Sequence, residues 1–401
     1  MKRASWVPLL RGRAAAEARE VVDDIARALA AYLRTTAPDP SLAKGAAGIA
    51  LLAGHLDQPR LLNAAVRAAL QAHQRQPLPS LHLGAPGVAY VLRTLGADAP
   101  LDEMDARVGQ MLEAIDPRTG RIDLLRGVVG LAVYLLPRAA DPVGAAGLTR
   151  AIDILAAAAI PAAGGLAWRY HPDNLATEIG QQHEPEGFLG IGLAEGACGV
   201  AALLAHVHAS GFMHPRTREL LTGALTFVRA NRTPDARHAC FPIAADGAAA
   251  GLPARTSWCL GDLGVAVALW HAGHALDDRE TIADAVNIAH TAAQRAAGDT
   301  GIVDAGLCHG TAGAAHIFAR FHQWTRDAVF ATAARNWYAR TLGMRGRAFG
   351  VAGYASLVGS PVGQAWEDEP GLLRGAAGIA LALHAATTRE DPAWDRVLLV
   401  T

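Results

Sequence analysis

The chain has 401 residues, enough for one large domain or two to three smaller ones at roughly 100–200 residues each. Its 36 Lys and Arg residues against 37 Asp and Glu give a net charge of −1, which argues against duplex nucleic acid or an anionic membrane as a bulk electrostatic partner. Hydrophobic residues at 51% and charged residues at 18% exclude disorder as the main state, and four cysteines are too few for a disulfide framework.

The N-terminus starts basic, but Arg11 and Arg13 interrupt it before an apolar run of signal-peptide length, so no export signal is read. No stretch approaches 18 apolar residues free of charge, Pro or several Gly, so no membrane span is read and a cytoplasmic chain is expected. From Ala14 to Leu33 the apolar residues Val21, Val22, Ile25, Leu29 and Leu33 recur with a helical period, and Arg60 to His73 reads likewise. A short pattern then dominates the chain: Gly-x-x-Gly followed by an aliphatic run. Its glycines fall at 45/48, 84/87, 127/130, 196/199, 261/264, 310/313 and 375/378, seven copies in all. Glycines at i and i+3 share a helical face, where missing side chains admit another backbone, and glycine also permits unusual dihedrals at a helix entry. No alternating run is convincing as a sheet. Residues 168–190, 231–255 and 356–371, rich in Pro and Gly, read as loops, the first a candidate lid or rim. No low-complexity linker divides the chain, so residues 1–401 are expected to form a single all-α repeat domain.

The chemistry lies just before the glycines. The residue two positions before each first glycine, here called the slot, is in order Ala43, His82, Leu125, Ala194, Cys259, Cys308 and Leu373. In a repeat that closes on itself, equivalent positions point toward a shared axis. Cys259 and Cys308 fill the slot in successive copies, and His309 follows the second. Two thiols and an imidazole form a soft three-ligand set with a fourth position open, which suits catalytic zinc. Cys198 and Cys240 lack this support and read as ordinary core or loop residues. His82 shares the slot without a nameable partner. Asp23-Asp24 and Asp277-Asp278 sit in no diphosphate-binding motif and read as exposed helix acids.

Seven Gly-x-x-Gly copies, with Ser257-Trp258-Cys259 and Cys308-His309-Gly310, resemble the lanthionine synthetase C family from about residue 40 to the C-terminus. The resemblance implies an α,α-toroid, with an inner ring of helices inside an outer one, and zinc held by Cys259, Cys308 and His309. It implies intramolecular thioether formation, in which a peptide cysteine adds to a dehydroalanine or dehydrobutyrine. An acidic residue of the family matches Asp123, and an arginine matches Arg255, four residues before Cys259. There are two departures. Glu195 stands where the family usually has the histidine favoured for proton transfer, and Leu260 stands where it often has tyrosine.

The thiol must lose a proton, and the enolate formed by its attack must gain one. Arg255 can hold a carbonyl oxygen or orient a carboxylate. Asp123 can orient His309 or accept the thiol proton. Glu195 can donate to the enolate if burial raises its pKa; otherwise it salt-bridges to Arg126 or Arg255. The expected partners are a dehydrated precursor peptide and a separate dehydratase, because the repeats occupy the length a fused one would need. A non-catalytic scaffold that binds a precursor peptide or a dehydratase is the alternative.

Overall fold

The computed structural model describes residues 6–73, 79–97, 101–175, 182, 184–233, 239–346, 348–360 and 363–401. The expected loops at 168–190, 231–255 and 356–371 lie partly outside these residues. The chain divides into two compact units, one of residues 1–78, 83–98 and 301–396, the other of residues 79–82, 99–300 and 397–401.

Helices in both units alternate between two kinds. In the first unit the amphipathic kind comprises α1 (Gly12–Thr35) and α3 (Pro59–His73), close to the two periodic stretches read from sequence. Between and after them come α2 (Ala46–His55) and α4 (Ala85–Thr94), both short and apolar on nearly every face. The second unit continues the alternation with α5 (Asp102–Glu113), α6 (Val128–Leu135), α7 (Pro142–Ala158), α8 (Ala197–Ala209), α9 (Thr217–Ala230), α10 (Asp262–Leu276) and α11 (Arg279–Gln294). The first unit then resumes with α12 (Thr311–Thr325), α13 (Ala328–Gly343) and α14 (Ala376–Thr387). The even-numbered helices start at the glycine repeats. They are buried all round because their neighbours cover every face. The odd-numbered ones show one buried stripe; on α1 it is Ala18, Val21, Val22, Ile25 and Leu29.

The described residues also contain three two-stranded antiparallel hairpins, which the sequence analysis did not expect. β1 (Ile160–Ala162) pairs with β2 (Gly165–Ala167), and β3 (Arg169–Tyr170) with β4 (Phe188–Leu189), both in the second unit. β5 (Ser356–Ser360) pairs with β6 (Gly363–Glu367) in the first. Strands of two to five residues give a period-2 pattern too few repeats to stand out.

One local structure recurs at the repeats. The loops before α2, α6, α8, α10, α12 and α14 fold back so that their carbonyls meet the helix N-terminus. Asp39 O accepts from Ala46 N–H at 2.8 Å, Arg121 O from Val128 at 3.0 Å, Asp304 O from Thr311 at 2.9 Å and Glu369 O from Ala376 at 2.9 Å. These bonds satisfy the first-turn N–H groups, so the helices need no side-chain cap. The same approach demands the glycines. A Cβ at Gly45 would lie 1.8 Å from Asp39 O, and at Gly313 1.8 Å from Leu307 O. Glycine also permits the unusual dihedrals expected at a helix entry, but the first glycine does not use them. Its φ is −149° at Gly45 and −105° at Gly310, within reach of any residue, so the requirement is space alone.

Chain ends complete the packing of each unit. In the first, Trp6 Nε1 donates to Ala385 O at 2.7 Å, and a buried cluster joins His316, Arg320 and Asp395. In the second, the last five residues are almost wholly buried and offer carbonyls to three rings. Val397 O meets His82 Nε2 at 3.2 Å, Leu398 O accepts from Trp258 Nε1 at 3.0 Å, and Val400 O meets His271 Nε2 at 2.9 Å. His82 is therefore a core histidine held through Nε2, while its Nδ1 has no hydrogen-bond partner among the described residues. Cys198 and Cys240 are buried as expected, and burial pushes the Cys240 thiol up to about 12. Asp278 caps α11, and Asp24 pairs with Arg27 and Arg345.

Two outcomes follow from this packing. Gly378→Ala puts a Cβ 1.9 Å from Leu372 O and 2.8 Å from a Leu307 methyl carbon, so denaturant unfolding should show a loss of about 1–3 kcal/mol. Burial lowers the His82 pKa from 6.5 to about 4, so the unfolded chain binds the extra proton between those values. Stability should fall as pH drops through that window, and His82→Gln should remove up to about 3 kcal/mol of the fall.

Candidate functional site

Slot positions are linked by the backbone within each unit. In the second unit His82 N–H donates to Leu125 O at 3.3 Å, Leu124 N–H to Ala194 O at 3.0 Å, and Ala194 N–H to Cys259 O at 2.9 Å. In the first, Cys308 N–H donates to Leu373 O at 2.7 Å and Leu373 N–H to Ala43 O at 3.0 Å. Within each unit, consecutive copies thus present their slots side by side, at the N-terminal ends of apolar helices. Negatively charged groups, a thiolate or a carboxylate, are favoured there because the positive ends of the peptide dipoles and the loop N–H groups meet them.

The second unit assembles most of the acids and cations named from sequence. Cys259 is half-buried, with Ser257 Oγ 3.9 Å from its sulfur. Glu195 occupies the position after the slot in the preceding copy and is half-buried. Burial, then the negative charge of Asp123 and of the Cys259 thiolate, raises its pKa to about 7, against smaller opposing effects of Arg126 and Arg121. Among the described residues it makes no ion pair with Arg126 or Arg255. Asp123 is 5% exposed. Its Oδ1 accepts from Arg126 N–H at 2.7 Å, while Oδ2 is buried with no hydrogen-bond partner among the described residues. Burial raises its pKa as well. Arg255 is exposed, and its guanidinium has no partner among the described residues.

One residue beside this acid pair was not singled out from sequence. Tyr170, on β3, accepts from Arg121 Nη1 at 3.3 Å and donates to Asn174 O at 3.4 Å. With Asp123, Glu195 and Trp168 it lines a cavity of about 20 Å3, room for one water. The hairpin bearing Tyr170 is fastened down by Asp246, which accepts from Leu189 N–H at 2.6 Å and from Arg169 at 2.8 Å. Within the expected loop over 168–190, the paired strands β3 and β4 thus form a braced wall against Glu195. No local signal marks it, since Tyr170 and Asp123 meet only through the fold.

In the first unit Cys308 is buried and His309 is half-buried beside it. The His309 ring turns Nε2 toward Asp304 Oδ2, 3.6 Å away. Burial alone would raise the Asp304 pKa. His309 and the N–H groups of Gly306 and Leu357 outweigh it, so the acid lies below its usual range. Asp304 was also missed, although a signal existed: it precedes Cys308 by four residues, as Arg255 precedes Cys259.

A family model described as lanthionine synthetase C-like protein matches residues 19–399, nearly the whole chain. The chain belongs to the lanthionine synthetase C-like family. A solved structure titled nisin cyclase matches with a TM-score of 0.77 at 20% sequence identity, covering 95% of this chain and 97% of that one. At that identity the likeness shows the fold, and the fold class is the all-α, toroid class expected above. No curated protein matches the chain by sequence. No helix among the described residues is long and apolar enough to cross a membrane.

Glu195 gives this family member a pH signature. Its folded pKa of about 7 lies above the model value of 4.5, so the folded chain holds the proton more tightly between those values. Stability should fall as pH rises from 4.5 through 7. Glu195→Gln should flatten that limb by roughly 1–3 kcal/mol, read as a smaller Tm difference between pH 5 and pH 8.

Proposed function

We propose that the chain is a zinc-dependent lanthipeptide cyclase, with Cys259, Cys308 and His309 holding the metal. The reaction adds a cysteine thiol of a dehydrated precursor peptide to a dehydroalanine or dehydrobutyrine of the same peptide. A carbon–sulfur bond forms at the β-carbon, the alkene electrons pass to the carbonyl as an enolate, and the α-carbon then takes a proton. The product is a lanthionine or methyllanthionine ring. The observation that carries this reading is the slot pattern. Two thiols fill the slot in consecutive copies of a repeat whose slots are hydrogen-bonded neighbours within each unit, and an imidazole adjoins the second thiol.

The donor set fits zinc: two sulfurs and one nitrogen leave a fourth position for a peptide thiol. Bound there, zinc supplies a lowered thiol pKa, so that the peptide cysteine reacts as its thiolate. The chain's own residues manage the protons and the peptide. Glu195, with a pKa raised to about 7, is protonated in a substantial fraction of molecules near neutral pH and donates that proton to the α-carbon of the enolate. Asp123 supports that state, since two adjacent carboxyls resist ionising together. Arg255, exposed above the Cys259 loop, receives a carbonyl or carboxylate of the incoming peptide. The reaction consumes alkenes, so the peptide arrives already dehydrated, and a dehydratase is the partner that supplies it.

Metal analysis and thiol alkylation test the reading together. The purified chain should carry about one zinc per chain. On a dehydrated peptide, alkylatable thiol should disappear with no change in peptide mass. Cys308→Ala should lose the zinc and fall below roughly 1% of the parent rate. A chain without zinc refutes the reading. A zinc-loaded chain that leaves every thiol alkylatable would instead be a non-catalytic scaffold, which the departures at Glu195 and Leu260 favour.

A further inference from the structure

We infer that Asp304 is the positioning residue of the proposed metal centre, fixing the tautomer and orientation of His309 so that Nδ1 is the ligating atom. The inference deepens the zinc reading and rests on it. Asp304 is 2% exposed and lies in the loop that carries Cys308 and His309. Its main-chain carbonyl accepts from Thr311 N–H at 2.9 Å, which ties the residue to the start of α12. Its Oδ1 accepts from Gly306 N–H at 3.1 Å, and its Oδ2 accepts from Leu357 N–H at 3.3 Å at the base of the β5–β6 hairpin. These bonds hold the carboxylate rigidly, and the same Oδ2 faces His309 Nε2 at 3.6 Å. An imidazole that offers its Nε2 proton to a carboxylate keeps the lone pair on Nδ1. The carboxylate also makes the ring a stronger ligand.

The blander reading is that Asp304 merely shapes its turn. Asp39 occupies the equivalent position in the first copy and does so, accepting from Ser41 N–H at 2.7 Å through Oδ1. Asp39, however, is exposed, whereas Asp304 is buried with its second oxygen toward an imidazole. A second parallel favours the positioning role. In the last copy Glu369, also four residues before the slot, holds Arg374, the residue after the slot, at 2.7 Å. Asp304 and His309 occupy those same two places. The repeat therefore builds an acid–base contact across the loop, and in this copy the base is the expected metal ligand.

Zinc affinity, measured by competition with a chromophoric chelator, tests the inference on the full chain. Asp304→Ala should weaken zinc binding ten- to a hundredfold, and Asp304→Asn, which keeps an acceptor without the charge, should fall between it and the parent. Ser356→Ala removes the bond from Ser356 Oγ to Arg374 O at the same hairpin base without touching His309, and should leave affinity within about twofold. Cobalt-loaded Asp304→Ala should also show an altered d–d spectrum. A folded Asp304→Ala chain with parental affinity and spectrum overturns the inference while the zinc reading stands. If that variant does not fold, parental affinity in Asp304→Asn overturns it. A parent chain that binds no zinc overturns the zinc reading itself, and this inference with it.

Discussion

Six of the seven repeats show one close approach on which the rest depends: a loop carbonyl lies where a side chain on the first or second glycine would have to be. That contact serves two purposes. It brings oxygen acceptors to helix N-terminal N–H groups that would otherwise be buried without partners, and it forces the loop into a single path. A loop with one path carries its slot residue to one place. Site geometry in this chain is therefore set by backbone hydrogen bonds, with the functional side chains free to differ from copy to copy.

That freedom explains the distribution of chemistry. The same slot holds apolar residues in four copies, a buried histidine in one and thiols in two. Around the slots, the positions four before and one after carry most of the charge. In the first unit they pair across the loop, as Glu369 with Arg374 and Asp304 with His309. In the third copy both positions are arginines, Arg121 and Arg126, and the charge they face comes from Asp123 and Glu195. One scaffold thus supplies cation–anion contacts in one place and a proton-retaining acid pair in another.

The acid pair contains Glu195, one of the two positions where the sequence departs from the pattern that its resemblance implies. The wall beside it, built by the β3–β4 hairpin and braced through Asp246, supplies the Tyr170 hydroxyl within the same small cavity. Leu260 offers no hydroxyl from the slot loop itself.

The repeat and the helical character of the segments between copies were legible in the residue string, because glycine spacing and helical period are local properties. The short hairpins were not, since strands this brief leave no readable alternation. Nor were Asp304 and Tyr170. An acid in a Gly-rich loop has many uses, and only the fold decides that Asp304 turns toward His309 while Asp39, at the same offset, turns to solvent. The state of Glu195 likewise belongs to the tertiary structure, because burial and neighbouring charge set a pKa and neither is written in local sequence. Composition and spacing determined which groups this protein has and in what repeating frame; packing alone decided which of them face one another, because those contacts join residues far apart along the chain.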